Sequence, residues 1–223
     1  MTALLRYQTA LLLRSQRWLP PFILYAAFLA IGVQSGQPVL DSLGYSAAAV
    51  LPVAAWLVRI CATNEPPAAR SCVGAAVGAG RAHLACLTVA LAAAVLLGAA
   101  ATLIVTVISD PTSTDHHKRV PVLAAAGAGL LAALVCALLG TAVGALTTWP
   151  LLRSPGRAVP AMLLAALLAL VVTGSPAHAA LTDLITGSQA GTVPAPLLPL
   201  AAAVLLTAAA IAAACALTSR RPA

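Results

Sequence analysis

The chain has 223 residues, of which 61% are hydrophobic and 8% charged, with a formal net charge of +7 and a mean hydropathy of +1.01. Soluble domains carry about 25% charged residues, so this composition excludes an ordinary soluble domain. The twelve basic residues stand singly or in pairs between apolar runs, which sets aside a nucleic-acid-binding face and points to membrane orientation instead.

Long continuous apolar runs, rather than ten-residue alternations, predict helices and not a barrel. The expected fold is all-α, a polytopic membrane protein forming one transmembrane domain over residues 1–223. A span needs roughly 20 apolar residues, and the chain has room for about six.

Residues 3–18 read as an amphipathic interfacial helix before the first span. On a helical wheel Arg6, Arg14 and Arg17 fall within about 80° of one another, suited to seat the helix against anionic headgroups or a protein partner. Pro20-Pro21 is expected to break it, because proline removes a helix donor and restricts its predecessor. A secretory signal peptide is disfavoured, since no small-x-small cleavage site follows near Gly32–Gly36. The first span then runs from Pro21 to about Gln34, with an extension to Leu40 allowed, and ends in a polar loop containing Asp41.

The second span covers about Tyr45–Cys61, with Pro52 as a kink. A loop over 62–81 follows, flanked by Arg59 and holding Arg70, Arg81 and the one glutamate of the chain, Glu65. It is expected to carry a short helix within 66–80, with Pro66-Pro67 in its first turn, where proline is tolerated. Spans three (Ala82–Ile108) and four (Val120–Leu146) are separated by the aqueous loop Ser109–Arg119. A polar link over Thr147–Ala158 holds Trp149, Arg153 and Arg157. Span five is read over Val159–Thr173 and span six over Leu197–Leu217. Between them, residues 175–196 are too polar to span; a helix over Ala177–Ile185, broken by Gly187, Gly191, Pro194 and Pro196, reads as a re-entrant or interfacial piece, with a simple loop as the alternative.

Six spans with the amino terminus inside place ten of the basic residues on the inner side and only Lys118 and Arg119 outside. That bias orients the chain with both termini cytoplasmic. Alanine richness fits a GC-rich bacterial, actinobacterial-like source and a plasma-membrane location.

No Walker, HExxH or GxSxG motif occurs, and no Asp, Glu, Lys or Arg lies deep within the apolar runs. No cofactor is implied, and catalysis or ion coupling inside the membrane finds no residues to carry it. The five cysteines lack metal-ligand spacing and read as small apolar residues. His116, His117 and the nearby aspartates read as a solvated loop rather than a metal site. Of four GxxxG matches, Gly140/Gly144 has the setting for close helix packing.

The amphipathic helix ending at Pro20-Pro21, six spans, the inner loop with Glu65, Arg70 and Val77-Gly78-Ala79-Gly80-Arg81, and the outer segment 175–196 together resemble the membrane subunit of an ABC transporter of the type-2 exporter class. The loop departs from that pattern in carrying Pro66-Pro67. The resemblance implies a homodimer, or a heterodimer with a second permease, that pairs with a separate ATP-binding cassette subunit. It also implies a translocation path between the two permeases and a partner-coupling role for Glu65, Arg70 and Arg81. Hydrolysis would then belong to the partner. Uncharged spans favour a hydrophobic or amphipathic small molecule or peptide as cargo. The alternative is a membrane anchor or assembly protein, which needs no motif at all.

Overall fold

The computed structural model describes residues 1–148 and 155–220, and side chains over 1–148 and 156–218. Its elements are α1 (Thr2–Ser15), α2 (Leu19–Gly32), α3 (Val39–Asn64), α4 (Pro67–Val77), α5 (Ala79–Ile108), α6 (Val122–Thr147), α7 (Pro155–Val171), α8 (Pro176–Ala190) and α9 (Leu197–Arg220). Among the described residues there is no strand, only two isolated bridges, Pro38 with Asp110 and Thr112 with Arg119. Trp149, Arg153 and Arg221 lie outside the described residues, as does the side chain of Arg220.

Four helices, α3, α5, α6 and α9, are long and apolar enough to cross a membrane. A fifth span results if α7 and α8, bent by 44° at a short break, are taken as one. The expected count of six depends on α2 and α7 crossing separately, with 14 and 17 residues, fewer than the roughly 20 a span requires. α2 ends at Gly32, within two residues of Gln34, and does not continue to Leu40. A Cβ at Gly32 would meet the Tyr45 ring at 2.0 Å, Gly36 beyond it has φ +86°, and Pro38 sits at the entry to α3. At about 1.5 Å per residue, α2 is about 21 Å long.

Two boundaries differ from expectation. The break after α1 falls at Gln16, whose φ of 53° is left-handed, and not at Pro20-Pro21. Those prolines occupy the first turn of α2, where the missing N–H costs nothing. As a result Arg17 lies in the turn after α1 rather than on it. Asp41 sits in the first turn of α3 and not in a loop, where its charge complements the positive helix end.

α3 is the centre of the bundle. Buried residues recur along its whole length, from Val39 to Cys61, and it packs most extensively against α6 and α5. Glycine makes the α3–α6 seam close: a Cβ at Gly140 would lie 2.3 Å from the Leu51 carbonyl oxygen and 2.7 Å from Ala54 Cβ, and one at Gly144 would lie 2.6 Å from Val58 Cβ. The Gly140/Gly144 pair is thus the notch that admits the α3 backbone. Outward-facing positions are large and apolar, with Val107, Leu123 and Leu198 each more than four-fifths exposed, as befits a surface facing lipid rather than water.

At the end where α8 lies, loops and helices exchange several bonds. Val39 N–H donates to the Asp110 carbonyl at 3.0 Å and Asp110 N–H to that of Gln37 at 3.0 Å. Thr114 Oγ1 donates to the Asp41 carboxylate at 3.0 Å and lies 2.9 Å from Ser188 Oγ. Lys118 Nζ donates to the Ala190 carbonyl at 2.9 Å.

Candidate functional site at the α1–α4 end

The opposite end is built by prolines and a glycine. Pro66 forces its predecessor out of helical geometry, and Glu65 accordingly has φ −85° and ψ 126° and closes α3. Pro67 then opens α4, which runs to Val77. Gly78, at φ 91°, closes it and lets α5 begin at Ala79. That φ lies in the region where a Cβ is strained and glycine is not.

Glu65 is buried at 7% exposure and accepts a hydrogen bond from Tyr7 Oη at 3.0 Å. Partial burial raises the Tyr7 pKa above its ordinary 10.0, with the bond to Glu65 and the carboxylate charge adding to it. Arg70 turns back from α4: its Nη2 donates to the carbonyls of Ala62 at 2.5 Å and Glu65 at 3.2 Å. A cation at the carboxyl end of α3 satisfies carbonyls that have no helical partner. Asn64 Nδ2 donates to the Leu11 carbonyl at 3.1 Å, fixing α1 to the same end.

The residues expected to couple to a partner therefore divide. Glu65 and Arg70 come together but face inward, holding α3, α4 and α1 to one another. Arg81 is exposed in the first turn of α5, beside a hollow that α1 shares with Val73, Ala76 and Val77 of α4. Of the expected interfacial anchors, Arg6, Arg14 and Arg17 are all exposed. α1 lays Gln8 and Leu12 against the bundle.

α4 covers a cavity of about 310 Å³. Arg70, Gly74 and Ala75 form the α4 wall. Ala82, His83 and Cys86 form the α5 wall, with Cys61 and Glu65 from α3, Gln8 from α1 and Thr218 from α9. His83 is 9% exposed, and its Nε2 is buried without a hydrogen-bond partner. Sequence reasoning missed Gln8, Cys61, His83 and Cys86 as site residues. The one available signal was the three-residue spacing of His83 and Cys86, which puts both on one helical face. Cys61, Cys86 and Cys136 are buried free thiols, and Cys72 on α4 is exposed.

Among the described residues no three of His, Cys, Asp or Glu are grouped to hold a metal ion. In the Ser109–Arg119 loop, His116 Nδ1 is engaged with Thr112 Oγ1 at 3.1 Å. Comparison with protein-family models, with curated proteins and with solved structures yields no match.

Proposed function

We propose that the chain is the membrane-spanning permease subunit of an ATP-driven ABC exporter, with α4 as the contact for a separate ATP-binding subunit. The observation that carries this reading is that α4, eleven residues between two membrane-length helices, has no buried residue. The helix packs on α5 along one side only, which leaves the rest of its surface open to a partner. Its exposed positions include Ala75, Ala76 and Val77, small and uncharged side chains that leave the helix backbone open to close approach by a partner.

The remaining features fit the same division of labour. The chain has no nucleotide-binding motif, so the energy must come from a partner. The rigid-body motion of a bundle against its neighbour is the device that asks least of this chain. The basic bias puts α1, α4 and both termini on the cytoplasmic side of a bacterial plasma membrane. Apolar outer faces on α5 and α9 offer room for lipid and for a second permease, with a hydrophobic or amphipathic cargo passing between the copies.

A photo-crosslinking residue at Val77, in cells co-expressing a candidate ATP-binding cassette subunit, tests the proposal. The expected result is a crosslink to that subunit, and Val77→Glu is expected to abolish both the crosslink and the stimulation of ATP hydrolysis by the permease. Failure of the two subunits to co-purify, with α4 intact, would leave the anchor or assembly role in its place.

A further inference from the structure

We propose that the hollow between α1 and α4 binds one phospholipid with an anionic headgroup, its phosphate on Arg81 and its apolar part along the two helices. The site is independent of the transport reading, because this chain builds it alone. The hollow has a volume of about 530 Å³, within the range of small-molecule sites.

Charge is distributed unevenly between the ends of the bundle. Asp41, Asp110, Asp115 and Asp183, four of the five acidic residues, belong to the α8 end, where Lys118 and Arg119 accompany them. α1, α3, α4 and α5 bring Arg6, Arg14, Arg59, Arg70 and Arg81 to the other end, with Arg17 in the turn after α1. The one carboxylate side chain there is Glu65, buried at 7% exposure and held by the Tyr7 hydroxyl. No acidic side chain is therefore left for the exposed guanidiniums of Arg6, Arg14, Arg17 and Arg81. An anionic membrane surface supplies the countercharge they lack.

The hollow adds what a free anion would not use. Leu4 of α1 lines it with Val73, Ala76 and Val77 of α4, and among its described lining residues Arg81 carries the one charged side chain. The Tyr7 hydroxyl, which also borders it, already donates to Glu65. A guanidinium beside apolar walls suits a phosphate carried on an acyl body. A zwitterionic headgroup would bring an ammonium for which no free carboxylate stands nearby.

The position is that of a membrane surface. Arg81 stands in the first turn of α5, where its apolar stretch begins. α1 leads through Trp18 to α2, whose Ile23, Leu24 and Phe28 are exposed, and Tyr and Trp are enriched at that level. The occupant lies between α1 and α4, so it adds to the contacts that hold α4, which buries no residue of its own.

The test uses the full chain in nanodiscs of equal parts dioleoylphosphatidylglycerol and dioleoylphosphatidylcholine, with native mass spectrometry of the lipid that stays bound on release. Phosphatidylglycerol should be retained about fivefold over phosphatidylcholine, the preference one basic residue provides near an anionic lipid. Arg81→Gln should bring the two to parity. Arg81→Lys should keep the preference, and so should the combined change of Arg6, Arg14 and Arg17 to Gln. Ala76→Trp, at an exposed position, should fill the hollow and abolish the retained lipid, while excess inorganic phosphate should leave it in place. Equal retention of the two lipids by the wild type, or a preference that survives Arg81→Gln, would overturn the proposal. So would retention that Ala76→Trp leaves intact, or displacement by inorganic phosphate, which would make the hollow a site for a free anion. Loss of the preference in the triple variant would do the same, by reducing it to general surface attraction.

Discussion

The two ends of the bundle are held in different ways. At the α8 end, main-chain groups of residues distant in sequence bond directly, as Val39 does with Asp110 and Thr114 with Ser188, and the Thr114 and Lys118 side chains add to them. At the α1–α4 end, α4 buries nothing, and the bonds that tie it to α3 come from one side chain, Arg70. Local opening is easiest where few apolar contacts are buried. The difference gives the molecule one fastened end and one whose short helix is free to respond to what binds there. Under the proposed permease function, the α1–α4 end is the one an ATP-binding partner would engage.

The comparison presumes an intact α3–α6 seam linking both ends, and the most disruptive test removes it. Gly140→Leu drives a side chain into the Leu51 main chain, and overpacking of this kind costs about 1–3 kcal/mol and sometimes more. Loss of the folded protein from membranes is expected by size-exclusion chromatography, whereas Gly127→Ala, with nothing within 4 Å of its Cβ, should elute normally.

A smaller effect separates the two ends. Arg70→Ala strips the donor from two carbonyls, a loss of about 1–3 kcal/mol where a group is left unsatisfied. Hydrogen exchange followed by mass spectrometry should speed over residues 67–77 and stay unchanged over 176–190. Equal acceleration at both ends would erase the distinction drawn here. The double change of Glu65 and Arg70 to Ala should likewise loosen α1 as well as α4, because Glu65 is the acceptor for Tyr7 and not a free surface group.

Thr114→Val tests the fastened end. It removes the hydroxyl from Asp41 and Ser188 but leaves the main-chain exchange between residues 37–39 and Asp110 in place, so about 1 kcal/mol is expected. Exchange over 176–190 should rise only slightly.

The smallest effect is a dependence on pH. The Tyr7 pKa is raised in the folded protein, so the folded state holds that proton at pH values where the unfolded chain has begun to lose it. The contribution is fully present below about pH 10 and is lost as pH rises through the folded value. The difference in absorbance at 295 nm between the wild type and Tyr7→Phe should isolate a single tyrosine that titrates above pH 10. A titration at the ordinary value would mean that α1 is not seated on Glu65 in solution.

Several features were legible in the residues alone. Composition decided that the chain is helical and apolar, and the limits of α5, α6 and α9 lie within a few residues of the apolar runs because polar or proline-containing stretches flank them. Pro66-Pro67 marked the start of a short helix between α3 and α5 because proline is tolerated in a first turn, but its end at Val77, before Gly78, falls short of the expected residue 80. Other features came only from the fold. The absence of a side chain at Gly32 is required by the Tyr45 ring that packs there, and the inward turn of Arg70 depends on carbonyls that the end of α3 leaves open. The cavity draws residues from five helices, from Gln8 on α1 to Thr218 on α9. In a sequence where nearly every position is apolar, hydrophobic periodicity cannot say which face of a helix meets another. That choice was made by close packing, through the glycine notch on α6 and the polar groups that had to find partners at the bundle's ends.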